Sequence, residues 1–374
     1  MKHGFKLAAL FLCLTGCTGD EFASSIEVDL QLPAHFPEPW VPSENHLTAE
    51  SVLLGRHLFY DTRLSGNGTV SCSSCHKQEF AFADDRPRSL GATGESGTLN
   101  APALTNVIYL RPLTWAHGTI TSIEEQLLGP MFGESPVEMG MTGSTQRILD
   151  RMTNDTLYQQ LFEDAFPDEP IELDLVRYSL ASFVRSLLSY RAPFDAFIAG
   201  DLNAISIQAR RGSELFYSSK LGCSGCHAGF AFTTAAVSAV AGDNQSSPFH
   251  NIGLYNIDGV GSYPDTARGL IEESGIPRDM GRFRVPSLRN VALTAPYGHD
   301  GSVPTLEDFI AIYEAGGRHI ESGPFAGDGR QSQWRSADLK DFTLTDDERS
   351  DLIAFLESLS DVAVTTDLHH RNPW

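Results

Sequence analysis

The chain has 374 residues, of which 41% are apolar and 20% are charged. These proportions are those of globular proteins and exclude a disordered chain, and the length suits two domains of about 150 residues each. The formal net charge of -21 disfavours nucleic acid and anionic membrane surfaces as partners, and it favours a basic or neutral one.

The chain begins with the pattern of an export signal. Lys2 and Lys6 precede an apolar run over 7–14 that is too short to span a membrane. The run leads into Leu-Thr-Gly-Cys at 14–17, which resembles the lipobox at which bacterial lipoproteins are cut before the cysteine. We therefore predict an exported, periplasmic protein with a lipid on Cys17, anchored to the outer membrane. The alternative is an ordinary cleaved signal that releases a soluble product.

Each half of the chain contains a Cys-x-x-Cys-His run. In such a run the two thiols add across the vinyl groups of a haem, and the histidine binds its iron. A zinc site would need more ligands, and no second Cys-x-x-Cys lies near either run. We therefore predict two covalent haems of the c type. Their ligands would be Cys72, Cys75 and His76 in the first half, and Cys223, Cys226 and His227 in the second.

The segments around these runs are also repeated. A Gly-x-x-Leu-Phe-Tyr stretch precedes each run, at 55–60 and at 212–217, and each half closes on a helical segment, near 181–187 and near 354–359. Strand signals are few. The sequence therefore predicts an all-α fold of two cytochrome c-like domains with long loops. The predicted boundaries are a signal peptide at 1–16, a proline-rich tether at 17–45, a first domain at 46–205 and a second at 206–374.

Two longer stretches resemble the family of di-haem cytochrome c peroxidases and MauG. The first runs from Asn-Ala-Pro at 100–102 to Pro-Val-Glu-Met-Gly at 136–140, and the second is the block at 284–301 that ends in Gly-His-Asp-Gly. The resemblance covers nearly the whole chain after the leader. Within the family, the stretch at 132–138, the block at 253–256 and the leader look most like MbnH, the enzyme associated with the copper-related partner protein MbnP.

The resemblance also implies an axial ligand for the second haem. The peroxidases have a methionine at the end of an interval that begins with Thr-Leu-Glu, and here the interval runs from Thr305 to Tyr313. A phenolate favours higher iron oxidation states, whereas methionine raises the potential. We therefore predict that Tyr313 binds the second iron, as in MauG. The alternative is a core tyrosine beside Phe309 and Ile312.

The first haem is expected to be the one that reacts with peroxide. The peroxidases close this iron with a loop histidine, and no histidine occurs between Lys77 and Ala116. We therefore predict an open, five-coordinate iron. By family position, Gln126 and Glu138 line its pocket and Pro130 shapes the wall, with Glu138 as the acid/base that moves the peroxide proton. His117 is expected to be structural.

The resemblance implies two sites between the halves. Trp115 would lie between the haems and relay electrons. A calcium ion would be bound by the Asn100 side chain and by the backbone carbonyls of Thr294 and Pro296, because oxygen ligands suit this hard cation. His299 is expected to form hydrogen bonds near the second haem.

One feature departs from MauG, in which a surface tryptophan before the second haem run passes oxidising equivalents to the partner. Leu221 occupies this position here. The exit route must differ, and Tyr217, Trp334 and Trp374 are open candidates. The tail histidines, His369 and His370, are expected to be solvated.

These features predict a MauG/MbnH-like enzyme. Hydrogen peroxide would generate a high-valent, bis-Fe(IV)-type state that oxidises a partner protein, with conversion of a tryptophan of an MbnP-like protein to kynurenine. Two alternatives remain. One is a di-haem cytochrome c peroxidase that takes electrons from a small cytochrome, and the other is a non-catalytic di-haem electron carrier.

Overall fold

The computed structural model describes residues 28–238 and 247–374. The predicted signal peptide and Cys17 lie outside these ranges. Within them, no helix combines the length and the apolar character needed to cross a membrane. The predicted domain boundaries stay predictions.

Helices supply most of the regular structure in the described ranges, and long loops connect them. The helices are α1 (Ala49–Tyr60), α2 (Ile123–Gln126), α3 (Leu128–Phe132), α4 (Thr145–Thr153), α5 (Thr156–Ala165), α6 (Leu173–Ser186), α7 (Pro193–Ile198), α8 (Ile207–Tyr217), α9 (Ile271–Ser274), α10 (Leu306–Glu314) and α11 (Asp346–Glu357). Each Cys-x-x-Cys-His run opens with a 3₁₀ turn, at Cys72–Ser74 and at Cys223–Gly225.

The expectation of an all-α fold is wrong, because the second half contains two antiparallel β-ribbons. β1 (Phe249–His250) pairs with β2 (Phe283–Arg284), and β3 (His319–Ile320) pairs with β4 (Gly327–Asp328). Strands of two residues are too short to show the alternation by which a strand is recognised in a sequence. Pairing between distant loop segments creates them.

A close helix crossing organises each half. α1 crosses α6, and α8 crosses α11, and a glycine at each crossing lets the backbones approach. A Cβ atom on Gly55 would overlap the carbonyl of Ser179, and one on Gly212 would overlap the carbonyl of Asp351. The glycine of the repeated Gly-x-x-Leu-Phe-Tyr stretch is therefore required by the close approach of the two helix backbones.

Three phenylalanine rings pack beside each crossing. The cluster of the first half is Phe59, Phe82 and Phe183, and that of the second half is Phe216, Phe232 and Phe355. Ring-centroid distances are 5.1–6.5 Å in the first cluster and 5.1–6.1 Å in the second. Such contacts favour one relative orientation of the rings. The middle phenylalanine of each cluster follows the haem-type run, so the crossing and the run share one core.

We expect Gly55→Ala to destabilise the fold. The new methyl group would meet backbone that cannot move without separating α1 from α6, and overpacking of this kind costs about 1–3 kcal/mol. Thermal unfolding followed by circular dichroism should show a lower Tm. Gly97→Ala is the control, because its Cβ would make only ordinary contacts of 3.6 Å. Equal Tm values for the two variants would contradict this account of the crossing.

The segment before α1 packs where the two halves meet. The ring of Phe36 contacts Tyr109 of the first half and Phe230 of the second, at centroid distances of 5.9 and 5.0 Å. The guanidinium of Arg289 lies 4.6 Å from the same ring and forms a buried ion pair with Asp195. This contact helps to hold both halves in one arrangement.

Candidate haem sites

The two histidines of the haem-type runs are held in the same way. His76 Nδ1 donates to the carbonyl of Phe82 at 3.0 Å, and His227 Nδ1 donates to that of Phe232 at 3.1 Å. Donation from Nδ1 leaves the Nε2 lone pair free to bind a metal. Burial lowers the pKa of both imidazoles, that of His227 to about 4. Both histidines are therefore neutral and available as ligands.

The cysteines of both runs are partly buried and free of disulfides. The 3₁₀ turn brings each pair together, and the turn is continued by the backbone N–H of His76, which donates to the Cys72 carbonyl at 3.0 Å. Burial raises the pKa of Cys72 to about 12 and that of Cys223 to about 11. The thiols are therefore protonated at neutral pH.

The second run opens on a large cavity of about 800 Å³. Its lining includes Cys223, Cys226 and His227 from the run, together with Tyr313 from α10. Most of the remaining wall is apolar, as a flat macrocycle requires. Apolar lining residues include Phe216, Leu288, Val291, Phe309, Ile310 and Leu352.

Two polar side chains in this wall are buried, and neither forms an ion pair with a residue that the structure describes, although the Asp300 carboxylate lies near His299. Arg284 is 3% exposed and donates to the carbonyls of Thr114 and Val285, and burial lowers its pKa to about 10. His299 is 3% exposed, and its Nε2 has no hydrogen-bond partner within the described ranges. Buried groups of this kind call for a ligand. Carboxylates such as the haem propionates would satisfy both, so the cavity fits the cofactor.

His299 lies in the wall of the second site, and its expected hydrogen bonding near the haem stays a prediction. Its ring stacks on Phe283 at a centroid distance of 3.6 Å and an angle of 10°. Burial lowers the pKa of His299 to about 4. Stacking, rather than a hydrogen bond from Nε2 to the described protein, positions this imidazole.

Tyr313 reaches the cavity from α10. The helix begins after Thr305, whose hydroxyl accepts from the Asp308 N–H at 3.0 Å, and Tyr313 follows two turns later with its ring 5.5 Å from Phe309. Burial, together with the nearby thiols of Cys223 and Cys226, raises the pKa of Tyr313. The phenol therefore stays neutral unless a cation stands next to it. An iron bound in this cavity would be such a cation.

The first run is accompanied by Glu138. Glu138 is exposed, as Glu134 is, but the protein atoms around its carboxylate still raise its pKa by desolvation. Its carboxylate is close enough to the thiols of Cys72 and Cys75 to raise their pKa values. A backbone hydrogen bond of 2.9 Å from Met139 N–H to the Pro130 carbonyl joins its loop to α3. Glu138 therefore lies at the first candidate haem site, beside a protein wall that includes Pro130.

Gln126 lies at the end of α2, four residues before Pro130, and is partly buried. Glu124 of the same helix anchors α2 to α6 through a buried bidentate ion pair with Arg185, at 2.6 and 2.7 Å. Asn45 donates to the same carboxylate at 2.5 Å. The role of Gln126 stays a prediction.

Trp115 connects the two sites. Its ring lines the cavity of the second site, and its Nε1–H donates to the Asn100 carbonyl at 2.8 Å. Asn100 begins the segment that contains Pro102. Burial lowers the pKa of His76, and the Pro102 carbonyl is close enough to oppose part of this lowering. On the other side, the Arg284 N–H donates to the Trp115 carbonyl at 2.8 Å. Trp115 is therefore hydrogen-bonded to two segments, one that leads to the neighbourhood of His76 and one that leads to the neighbourhood of His227.

The residues expected at a calcium site lie on neighbouring segments. The Asn100 amide donates to the carbonyls of Arg86 and Pro87, both at 3.2 Å, which directs its oxygen to the other side. The Asn100 N–H donates to the His299 carbonyl at 2.8 Å, and this carbonyl follows Thr294 and Pro296 in the same loop. The calcium site stays a prediction.

Some of the other sequence candidates lie apart from both runs. His117 is exposed and beside Glu273. Trp374 packs on His57 and Arg63 in the first half. Of the three candidates for an exit route, Tyr217 is 48% exposed and contacts Phe216 of the cavity wall at 5.2 Å.

The two halves share a further repeat that is not among the sequence predictions. Pro-x-Leu-x-Asn occurs at 102–106 and again at 286–290. Burial lowers the pKa values of His76 and His227, and the carbonyls of Pro102 and Pro286 respectively oppose part of this lowering. The repeat could have been found from its letters, but the second copy lies much farther from its haem run than the first, which hides the correspondence.

The fold and the two sites define a di-haem protein of the cytochrome c type. Each half holds a pair of thiols and a neutral imidazole, with Tyr313 beside one pair and Glu138 beside the other. The sites are alike in attachment and unlike in surroundings.

This chain belongs to the family of di-haem cytochrome c peroxidases and MauG. The family model described as di-haem cytochrome c peroxidase matches residues 49–203. Cytochrome-c peroxidase IdrP1 of Denitromonas iodatirespirans is 33% identical over 94% of this chain and 92% of its own length. Methylamine utilization protein MauG of Methylophilus methylotrophus is 34% identical over 85% and 84%. Together these relatives define the chain as a di-haem peroxidase-like oxidoreductase.

A solved structure is also similar throughout. It is described as a MauG-like protein associated with microbial copper homeostasis, and it is 43% identical with a TM-score of 0.90. The match covers 93% of this chain and 99% of the other. The likeness therefore extends over both halves.

Proposed function

We propose that this enzyme is of the MauG/MbnH type and uses hydrogen peroxide to oxidise a partner protein, with a tryptophan of an MbnP-like protein as the side chain converted to kynurenine. The observation that carries this proposal is the presence of Tyr313 in the same cavity as His227. Further support is the 43% identity to the MauG-like protein associated with copper homeostasis.

The residues of the second site suit a haem. Cys223 and Cys226 would attach it, and His227 and Tyr313 would supply the groups that bind its iron. Arg284 and His299 would meet its propionates. In this proposal the anionic oxygen of Tyr313 stabilises oxidised metal, which suits an enzyme that stores oxidising equivalents before its partner arrives.

The first site would be the peroxide site. When bound there, haem supplies the iron at which peroxide is reduced. Glu138 would accept the proton of incoming peroxide and return it to the departing water, because its raised pKa lies closer to neutral pH than that of an ordinary carboxylate. Gln126 and Pro130 would bound the space for peroxide. Trp115 would carry electrons between the two sites.

One experiment tests the function directly. The ferric holoenzyme is mixed with one equivalent of peroxide, and its absorption spectrum is recorded with and without purified MbnP-like protein. We expect a spectral change that lasts for minutes alone and decays quickly with the partner, whose tryptophan acquires the mass of kynurenine. Loss of the signal within seconds in the absence of partner would count against the proposal.

A second candidate is a cytochrome c peroxidase that takes electrons from a small cytochrome. It is favoured by the names of several relatives, including the one that is 33% identical over 94% of the chain. Rapid steady-state turnover of peroxide with a reduced small cytochrome, without modification of a protein side chain, would favour this candidate over the first.

We also propose a calcium site at Asn100, Thr294 and Pro296, supported by the fixed orientation of the Asn100 amide. Removal of calcium with a chelator should slow electron transfer between the sites, because the ion would hold the segments that Trp115 joins. Peroxide-dependent spectra before and after chelation, and after calcium is restored, measure this effect. Unchanged spectra together with no calcium in the purified protein by elemental analysis would refute the site.

We further propose export to the periplasm with a lipid on Cys17. The support is the sequence of the leader. Metabolic labelling with palmitate, compared with a Cys17→Ser variant, distinguishes an anchored protein from the product of an ordinary signal peptide.

A further inference from the structure

The C-terminal tail, residues 362–374, crosses from the second half to the first. It follows α11, whose packing partner is α8 of the second half. Gln78, two residues after the first haem-type run ends, donates to the tail carbonyls of Val364 and Asp367 at 3.0 and 2.9 Å. Two side chains of α1 also donate to the tail, Tyr60 to the His370 carbonyl at 2.8 Å and Arg56 to that of Arg371 at 2.7 Å.

His370 is the residue through which the tail enters the aromatic cluster of the first half. Its ring packs edge-on against Phe82 and Phe183, each at a centroid distance of 6.3 Å. The expectation that His370 is solvated is therefore wrong, while His369 is exposed. Sequence position near a chain end suggested solvent, but the hydrogen bonds of the preceding residues direct this ring inward.

The second half receives a matching segment from the first. α7 follows α6, and it packs Phe194 against Phe232 and Phe355 at centroid distances of 5.8 and 5.3 Å. Its backbone is fixed by a 3.0 Å bond from the Phe194 N–H to the Ser358 carbonyl. His370 and Phe194 therefore occupy equivalent places. His370, which follows the last helix of the second half, completes the cluster of the first half, and Phe194, which follows the last long helix of the first half, completes the cluster of the second.

These two clusters control the backbone that holds the candidate iron ligands. Phe82 and Phe232 have φ angles of 63° and 51°, in the left-handed region that is unfavourable for a non-glycine residue. Their carbonyls accept from His76 and His227. Each phenylalanine therefore joins its ring cluster to the carbonyl that holds the imidazole, which gives a route from a change beside the ring to the imidazole.

We propose that the C-terminal tail positions the proximal histidine of the first haem, through His370 against Phe82 and through Gln78, and that Phe194 does the same for the second haem. His370 is a positioning residue in this scheme. The proposal rests on haem attachment at both runs, and it does not depend on the identity of the partner protein.

The test compares two holoenzyme variants, His370→Ala and Phe194→Ala. The measurements are the ferric electron paramagnetic resonance spectrum and the midpoint potential of each haem. We expect His370→Ala to shift the signals of the first haem only, and Phe194→Ala to shift those of the second only. Because His370 contacts Phe82 rather than His76 itself, peroxide consumption should fall in His370→Ala by no more than about 10-fold, the lower end of the loss seen when a direct partner of a ligating histidine is removed.

Two further results decide between positioning and general destabilisation. His370→Phe, which copies the residue of the second half, should restore the spectrum of the first haem. Thermal unfolding measured in parallel detects a variant that does not fold. In that case Gln78→Ala, which removes only two hydrogen bonds to the tail, should shift the signals of the first haem in the same direction and by a smaller amount. Equal shifts at both haems in His370→Ala, or no shift at either, would overturn the proposal whatever the function proves to be.

Discussion

Replacement of Tyr313 by phenylalanine should alter one haem spectrum and leave the other unchanged. The variant keeps the ring that packs on Phe309 and loses only the oxygen that lines the cavity with His227. If Tyr313 is a ligand, its loss removes an anionic donor, and the potential of the second haem should rise. Axial ligands set haem potentials over a range of about 0.8 V, so we expect a rise on the order of 0.1 V or more.

The peroxide-dependent signal of Tyr313→Phe should consequently decay at least about tenfold faster than that of the unmodified enzyme, because a rise of about 0.06 V in a one-electron potential is a tenfold change in its equilibrium constant. Stopped-flow absorption and a redox titration measure the two effects. Tyr313→Met should move the potential in the same direction and bring the protein closer to a peroxidase.

Tyr297→Phe is the matched control for this experiment. Tyr297 lines the same cavity, and burial raises its pKa to about 12. Its substitution removes a second phenol from the same wall and should leave both haem spectra unchanged. If Tyr313→Phe also left them unchanged, Tyr313 would be a packing residue, and the proposed asymmetry of the two haems would lose its basis.

Replacement of Glu138 by glutamine should slow the reaction with peroxide by about 10²–10⁴-fold, the usual contribution of a positioned acid or base. Glutamine keeps the size of the side chain and cannot accept a proton. The variant should still bind two haems with unchanged resting spectra, because Glu138 is next to the thiols of the first run and belongs to neither predicted ligand set. The rate is measured by stopped-flow absorption at several peroxide concentrations.

The pH dependence follows from the direction of the pKa shift. Desolvation raises the pKa of Glu138, so the carboxylate that acts as base forms only at a higher pH than for an ordinary glutamate. The rate should fall as pH decreases through this raised pKa, and the acidic limb of the profile should lie above the range of free glutamate. Glu138→Gln should lose this limb.

Glu134→Gln tests whether any carboxylate of the loop would have the same effect. Glu134 lies four residues earlier, before the same turn, and is exposed. Its substitution should change neither the rate nor the acidic limb. A profile of Glu138→Gln that keeps the limb would assign the proton transfer to another group.

Several features of the sites could be read directly from residues. The two runs at 72–76 and 223–227 specify their chemistry through covalent spacing, which no fold can alter. Tyr313 was predicted from a count along one motif, and α10 does bring it to the cavity of the second run. The helical segment predicted near 354–359 belongs to the end of α11, a helix that begins after a capping box at Thr345.

Other features depended on contacts between distant residues. One of the ribbons that make the all-α expectation wrong pairs Phe249 with Arg284, 35 residues further along the chain, and two-residue strands leave no periodic signal. The burial of Arg284 and His299 in the cavity wall could not be read from the sequence either, because a charge or a ring nitrogen becomes a candidate ligand-binding group only when its surroundings are known.

By itself, then, the sequence determined what can be attached: two haem-type runs, a candidate phenol and a candidate carboxylate, all set by residue type and short spacing. Only the tertiary structure decided which groups meet. It brought Tyr313 to one run and Glu138 to the other, and it directed His370 from the end of one half into the core of the other. The physical reason is that ligation chemistry is local, whereas burial, pKa and ring packing arise from neighbours that are remote along the chain.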